Sequence, residues 1–188
     1  MVRSYRADPV ERGVVERIVA TARRAPSAGF SQGQYFVVVT DEDTRRAIAA
    51  LGHEDEYVEK GFRPWMSTAP VHVVVGVSEG DYHARYSEPD KLDPDGTETE
   101  WPVPYWWVDA GAALMLTLLA AVDEGLAAGF FGVHRLSGLK ELLAIPDEVE
   151  PIGVVTLGFA DDDPVPWSRA RGWKPLEKAV HWERWTER

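Results

Sequence analysis

Apolar residues follow two rhythms along this chain. In the first, Val10, Val14, Ile18, Val19 and Ala22 recur every three or four positions, the period that lines one face of an α-helix. Asp8, Pro9 and Glu11 stand before them as an N-cap acceptor, a first-turn proline and a carboxylate three positions after the cap, which together mark a helix start. A helix is therefore expected from there to about Arg24. In the second rhythm apolar residues stand side by side. Residues 35–39, 71–77 and 151–159 are short runs rich in β-branched side chains, and such runs predict strands buried on both faces. Helical spacing returns over 41–51, a shorter helix or turn is predicted over 54–61, and 137–143 predicts a short helix ending before Pro146.

Three segments depart from these rhythms. Residues 107–128, the longest predicted helix, are apolar nearly all round in the stretch AGAALMLTLLAAV. A helix with no polar face has to be covered on all sides, and a chain of this length rarely encloses one completely, so a dimer axis is expected beside it. Residues 78–104, rich in Asp, Glu, Pro, Gly and Tyr, show no sustained period. A structureless stretch of that length is uncommon inside a compact domain, and the aromatics Tyr82, Tyr86 and Trp101 within it predict a lid. The third segment contains Pro26, Ser27, Ala28, Gly29, Ser31, Gln32 and Gly33. It is either a long polar connection or a backbone kept bare so that a flat or anionic ligand can lie against it.

Composition narrows the classes. The 188 residues, 45% hydrophobic and 27% charged, suit one domain over 1–188 with a core of its own. The formal net charge of −11 repels polyanions, and no run of basic residues offsets it, so nucleic acid is not an expected partner. The absence of cysteine removes disulfides, thiolate metal sites and thiol nucleophiles. With no apolar leader, and with its longest apolar stretch around 110–121 too short for a bilayer, the chain is expected to be cytoplasmic and free of membrane. Eight tryptophans exceed the needs of such a core and suit either a large interface or a stacking surface for a planar ligand.

Motifs for hydrolases, phosphate-binding loops, dinucleotide folds and zinc proteases are absent from the sequence. The five histidines stand apart from one another, and Asp161, Asp162 and Asp163 lack the spacing of a calcium loop, so no metal site is expected. Chemistry would then fit best on a bound cofactor. Arg3 and Arg6 near one terminus and Arg169, Arg171 and Lys174 near the other could clamp a phosphate together.

The order of Arg3-Ser4-Tyr5, a helix, ARRAPSAGFSQGQYFVVV, APVHVVVGV, DAGAALMLTLLAAVDEGLAAGFFGV, IGVVTLGF and RGWKPLEKAVHWERW resembles the nitroreductase family of FMN-dependent oxidoreductases over nearly the whole chain. The resemblance implies an α+β homodimer, a mixed sheet wrapped by helices with a long helix at the interface and two FMN molecules there. It implies that Arg3, with Ser4 and Tyr5, serves the FMN phosphate, and that Arg171, supported by Lys174 or Arg169, completes that site. Pro26, Ser27, Ala28 and Gly29 match the segment along the isoalloxazine edge, commonly supplied by the partner subunit, and Gln32 matches a recurrent glutamine. Phe131, Gly132 and Val133 match a strand-like turn beside the flavin, with the Gly132 amide near N5, and Arg63 matches a contact on the pyrimidine side.

Phe30 stands where the family often has asparagine and Gly33-Gln34 where proline-tryptophan is common, so the substrate side departs from the pattern. Phe30, Tyr82, Tyr86, Trp101 and Tyr105 are expected to face substrate. The implied reaction passes hydride from NAD(P)H through FMN N5 to a planar electron-poor acceptor, a nitroaromatic or quinone, with no catalytic side chain. A flavin-dependent biosynthetic oxidase and a non-catalytic flavin- or deazaflavin-binding module are the alternatives.

Overall fold

A computed structural model describes residues 1–162 and 171–185. Strands β1 (Gln34–Val39), β2 (Val71–Val77), β3 (Ala127–Gly132) and β4 (Glu150–Gly158) lie in the order β1-β2-β4-β3, and every described pairing is antiparallel. Within the described residues the mixed sheet of the resemblance is thus an antiparallel one. Side chains alternate across a strand, so β2, buried at all seven positions, divides two apolar layers. Val71, Val73 and Val75 pack with Val15 and Ile18 of α1 (Arg12–Ala22) and with Ala113, Ala120 and Ala121 of α5 (Tyr105–Asp123). Val74 turns to Ile48 of α2 (Glu42–Leu51) and Leu139 of α6 (Leu139–Leu143).

Several sequence expectations are corrected. The first helix begins with Glu11 as N-cap, without a side-chain cap bond; Asp8 instead pairs with Arg6 at 3.0 Å. Strand β1 is not buried on both faces, for Tyr35 and Val38 remain about half exposed because β1 is an edge strand. Helix α5 ends at Asp123, and Ala127 and Ala128 belong to β3. Its 19 residues are long and apolar enough to cross a bilayer, longer than the 110–121 stretch suggests. It instead packs on α1 and on all four strands and buries Ala110, Ala113, Thr117 and Ala121. The expected lid opens with a helix, α4 (Glu79–Tyr86), following α3 (Glu54–Glu59) and β2 in the chain. Ser78 caps α4 by accepting from the Asp81 amide at 3.3 Å. The tail carries α7 (Leu176–Ala179) between the exposed Trp173 and Trp182.

The first residues lie as a strap across one end of the sheet. The Val2 amide donates to Ala128 O at 2.9 Å, Arg6 N to Phe159 O at 3.0 Å, and Asp161 N to Ser4 O at 3.1 Å. The Tyr5 hydroxyl reaches the Thr156 hydroxyl at 2.8 Å. Gly129 admits this strap, since a Cβ there would sit 2.6 Å from Val2 O and 2.8 Å from the Tyr5 hydroxyl. Gly129→Ala is therefore expected to cost about 1–3 kcal/mol by overpacking, a loss of several degrees in Tm. An unchanged thermal unfolding curve would show that the strap is not seated over β3.

Candidate functional site

Cations collect beside the strap although the chain is acidic. The Arg3 guanidinium lies 5.7 Å from the ring centroid of Trp65, within the range of a cation–π contact. Trp65 meets the Phe131 ring edge-on at 5.5 Å. The loop before β2 that presents Trp65 has backbone amides without secondary-structure partners, and the buried Glu54 carboxylate supplies them. It accepts from Trp65 N at 2.7 Å, Met66 N at 2.5 Å and Ser67 N at 3.2 Å, satisfying donors that would otherwise be costly to bury. Behind Phe131, His72 donates from Nε2 to Met66 O at 2.7 Å, and burial holds its pKa down to about 4, so it is neutral near pH 7. Arg63 joins the same end, donating to Asp162 O at 3.1 Å and lying 3.8 Å from the Asp161 carboxylate.

The bare patch before β1 is a held turn. Residues Ala28–Phe30 form a single 3-10 turn, and Gly29, Phe30 and Gln32 have φ of 61°, 62° and 55°. Left-handed backbone costs roughly 1–2 kcal/mol at a residue with a Cβ, and Phe30 and Gln32 accept it because the turn is tethered on several sides. Ala28 N donates to Asp109 Oδ2 at 2.8 Å, Arg85 Nε to Gly29 O at 3.0 Å, and Gln32 N to Ser27 Oγ at 3.0 Å. The Tyr86 ring covers Gly29, where a Cβ would be 2.6 Å from Cε2. Pro26 and Gln32 are exposed, and Phe30 projects its ring with 74% exposure.

The aromatics of 78–104 divide into two groups. Tyr82, expected at the substrate, is fully buried in the core, and its hydroxyl donates to Asp109 at 3.0 Å. Burial first, then Asp109, pushes its phenol pKa up. Trp101 packs edge-on to Tyr86 at 4.4 Å and to Tyr105 at 6.4 Å. Its indole donates to Glu98 at 2.7 Å, and Glu98 also meets His83 Nδ1 at 2.7 Å. The hydrogen bond to Glu98 raises the His83 pKa, with a second from Glu79 adding to it. Residues 98–101 are thus fastened to α4, while Tyr86, Trp101 and Tyr105 stay in reach of solvent.

Two groups of expected residues emerge. Arg3, Ser4, Tyr5, Arg63, Phe131, Gly132 and Val133 gather at the strap and the β3 edge. Pro26, Ser27, Ala28, Gly29, Phe30, Gln32, Tyr86, Trp101 and Tyr105 belong to the β1 side. The two edge strands are three spacings apart, about 14 Å. Arg171 and Lys174 are exposed in the tail, without a recorded contact to either group among the described residues, and Arg169 lies outside the described residues. A shallow concavity between α2 and α3, lined by Arg46, Ala50, Asp55 and Val58 among others, holds none of these residues. Sequence reading missed Glu54, Trp65, Arg85 and Asp109. Only Asp109, a lone acid in an apolar helix, carried a readable signal.

Residues 1–159 match the model of the nitroreductase family. A protein of Archaeoglobus fulgidus provisionally named NADH dehydrogenase/NAD(P)H nitroreductase is 26% identical over 188 residues, covering 98% of this chain and 92% of its own. A nitroreductase family protein of Streptococcus pneumoniae superposes with a TM-score of 0.71 at 22% identity, over 96% of this chain and 94% of its own. An NADPH:FMN oxidoreductase of Vibrio harveyi, solved with NAD+, gives 0.70 at 22% identity, over 99% of this chain and 74% of its own.

Proposed function

The chain belongs to the nitroreductase family, and from that premise we propose that it is an FMN-dependent oxidoreductase that takes hydride from NAD(P)H and reduces a planar, electron-poor acceptor of the nitroaromatic or quinone type. The observation that carries the reading is the convergence of Arg3, Trp65 and Phe131 at one end of the sheet, which sets a cation for a phosphate beside a ring and the extended backbone of Gly132. The donor set fits FMN: guanidinium groups match phosphate geometry, and the turn at Ala28 carries small side chains with the half-buried Ser27 hydroxyl among them. FMN, when bound, supplies the hydride-accepting and electron-donating ring.

The chain's own residues bind and arrange. Arg3, with Arg171 from the tail, holds the phosphate; Arg63 serves the pyrimidine side, and Phe131, Gly132 and Val133 border the ring. Pro26, Ser27, Ala28 and Gly29, some 14 Å away across the sheet, serve the site of a second copy. A homodimer is therefore part of the reading, and the exposed apolar row of α5 is its seam. Tyr86, Trp101 and Tyr105 wall the acceptor side and exclude water; Tyr82 braces them from the core.

The test is an absorption spectrum of protein incubated with FMN, followed by anaerobic titration with NADH and with NADPH. The expected result is one flavin per chain, bleached by at least one nucleotide and re-oxidised by a quinone. Absence of flavin uptake at micromolar FMN would overturn the reading. Uptake without bleaching by either nucleotide would replace it with the non-catalytic flavin-binding alternative.

A further inference from the structure

Asp109 lies one turn inside α5, is 7% exposed, and has no ion pair among the described residues. A buried carboxylate is costly unless hydrogen bonds satisfy it. Both donors that satisfy this one converge on Oδ2: Ala28 N at 2.8 Å and the Tyr82 hydroxyl at 3.0 Å. One comes from the core face of α4. The other is the backbone of the turn proposed to lie along the flavin edge.

We propose that Asp109 is a positioning residue for the cofactor site, its carboxylate fixing the Ser27-Ala28-Gly29 backbone and tying that turn to the orientation of α5. The proposal rests on the reading that this turn faces a flavin. Without Asp109 the turn loses its one hydrogen bond to α5 among the described residues, while Gly29 and Phe30 still have to hold left-handed φ. With it, the polar groups of the turn are allotted. The Ala28 N–H goes to Asp109, the Gly29 carbonyl to Arg85 and the Ala28 carbonyl to the Ser31 hydroxyl at 2.6 Å. The Ser27 hydroxyl accepts from Gln32 N and keeps its own proton to donate outward. Asp109 therefore selects which group the turn offers a ligand. Val108, its neighbour on α5, is 53% exposed, so a partner seated on that side of the helix bears on the same turn of helix that holds Ala28.

The experiment compares Asp109→Ala, Asp109→Asn and Tyr82→Phe in the full chain by two readouts. One is hydrogen exchange of the backbone over 26–33 in cofactor-free protein; the other is FMN affinity by flavin fluorescence. Asp109→Ala is expected to speed Ala28 exchange at least tenfold and to weaken FMN by about the same factor. Asp109→Asn, which retains a carbonyl oxygen as acceptor, is expected to recover most of both. Tyr82→Phe removes the other donor and leaves the tether, so each readout should change less than threefold even where Tm falls. Folded Asp109→Ala protein with unchanged exchange and affinity would overturn the proposal, as would a Tyr82→Phe variant that loses as much. Should Asp109→Ala not fold, Ala28→Pro tests the bond from its other end. Ser27 already has the extended φ of −136° and ψ of 139° that suits a residue before proline, and loss of the N–H must weaken FMN tenfold. Wild-type protein that takes up no FMN overturns the cofactor reading itself; wild-type uptake with an intact affinity in Asp109→Ala overturns the tether alone.

Discussion

The double substitution Met115→Glu and Leu119→Glu is expected to yield a folded monomer that no longer retains FMN. Val108, Met115, Leu119 and Val122 are 51–65% exposed in the single chain, and their spacing of seven, four and three places them along one side of α5. Fully burying an aliphatic side chain of this size is worth about 1.5–3 kcal/mol, and a two-fold axis counts each residue twice. A stable seam of this kind belongs to interfaces of more than roughly 2,000 Å². Two carboxylates on each helix would be buried against their copies without partners, at a cost of several kcal/mol, while the monomer leaves them in water. Light scattering reports the association state, circular dichroism the fold, and the 450 nm region the flavin. A stable wild-type monomer would remove the seam, and a monomeric variant with stoichiometric flavin would place the whole site within one chain.

Replacing Arg3 and Arg171 together by alanine should produce colourless protein that folds. Each charge-assisted contact to phosphate is worth about 1.5–3 kcal/mol, so the pair supports roughly 10²- to 10⁴-fold in FMN affinity. Arg3 sits outside the buried core, against Trp65, and its loss leaves the strap's backbone bonds in place. Arg171 makes no contact with the strap among the described residues, so its role depends on where a ligand or a second copy draws the tail. Fluorescence titration of the single and double variants separates them. Stoichiometric flavin in the double variant would put the phosphate elsewhere.

What the sequence disclosed depended on how local the cause was. Strand β2 occupies Val71–Val77, the residues its valine-rich run predicts, because a strand buried on both faces needs mainly apolar side chains on each; the buried His72 is satisfied by Met66 O. Helix α2 starts where Asp41 can cap it, accepting from Thr44 N at 2.9 Å. Helix α4 was hidden because seven of its eight residues escape burial and only Tyr82 is fixed in the core; the serine cap at Ser78 with Asp81 three positions later was its one mark. Ala127 and Ala128 read as the end of the long helix by composition, and belong to a strand because they pair with Gly158 and Leu157, partners that lie far along the chain. The partial exposure of β1 at Tyr35 and Val38 has a topological cause, its place at the edge of the described sheet, which no window of sequence contains. In the same way the small side chains of the turn at Ala28 were legible from Pro26 to Gly33. Its tethers were not, since Asp109 and Arg85 stand 81 and 56 positions from their partners.

The strap has a consequence for how the molecule is made. Tyr5 and the Thr156 it meets are 151 positions apart, so on a ribosome adding about 5–20 residues per second roughly 8 to 30 s pass before the strap's partner exists outside the tunnel. Until β3 and then the far end of β4 have been made, the backbone groups of residues 2–6 are left to water. Contacts of such separation come late and slow the overall rate. Residues 2–6 are thus seated only after β3 and β4 have been made, well after Trp65 itself. Nascent chains stalled before residue 127 would have neither Ala128 nor Phe159 to receive the Val2 and Arg6 amides, and the strap would stay unseated.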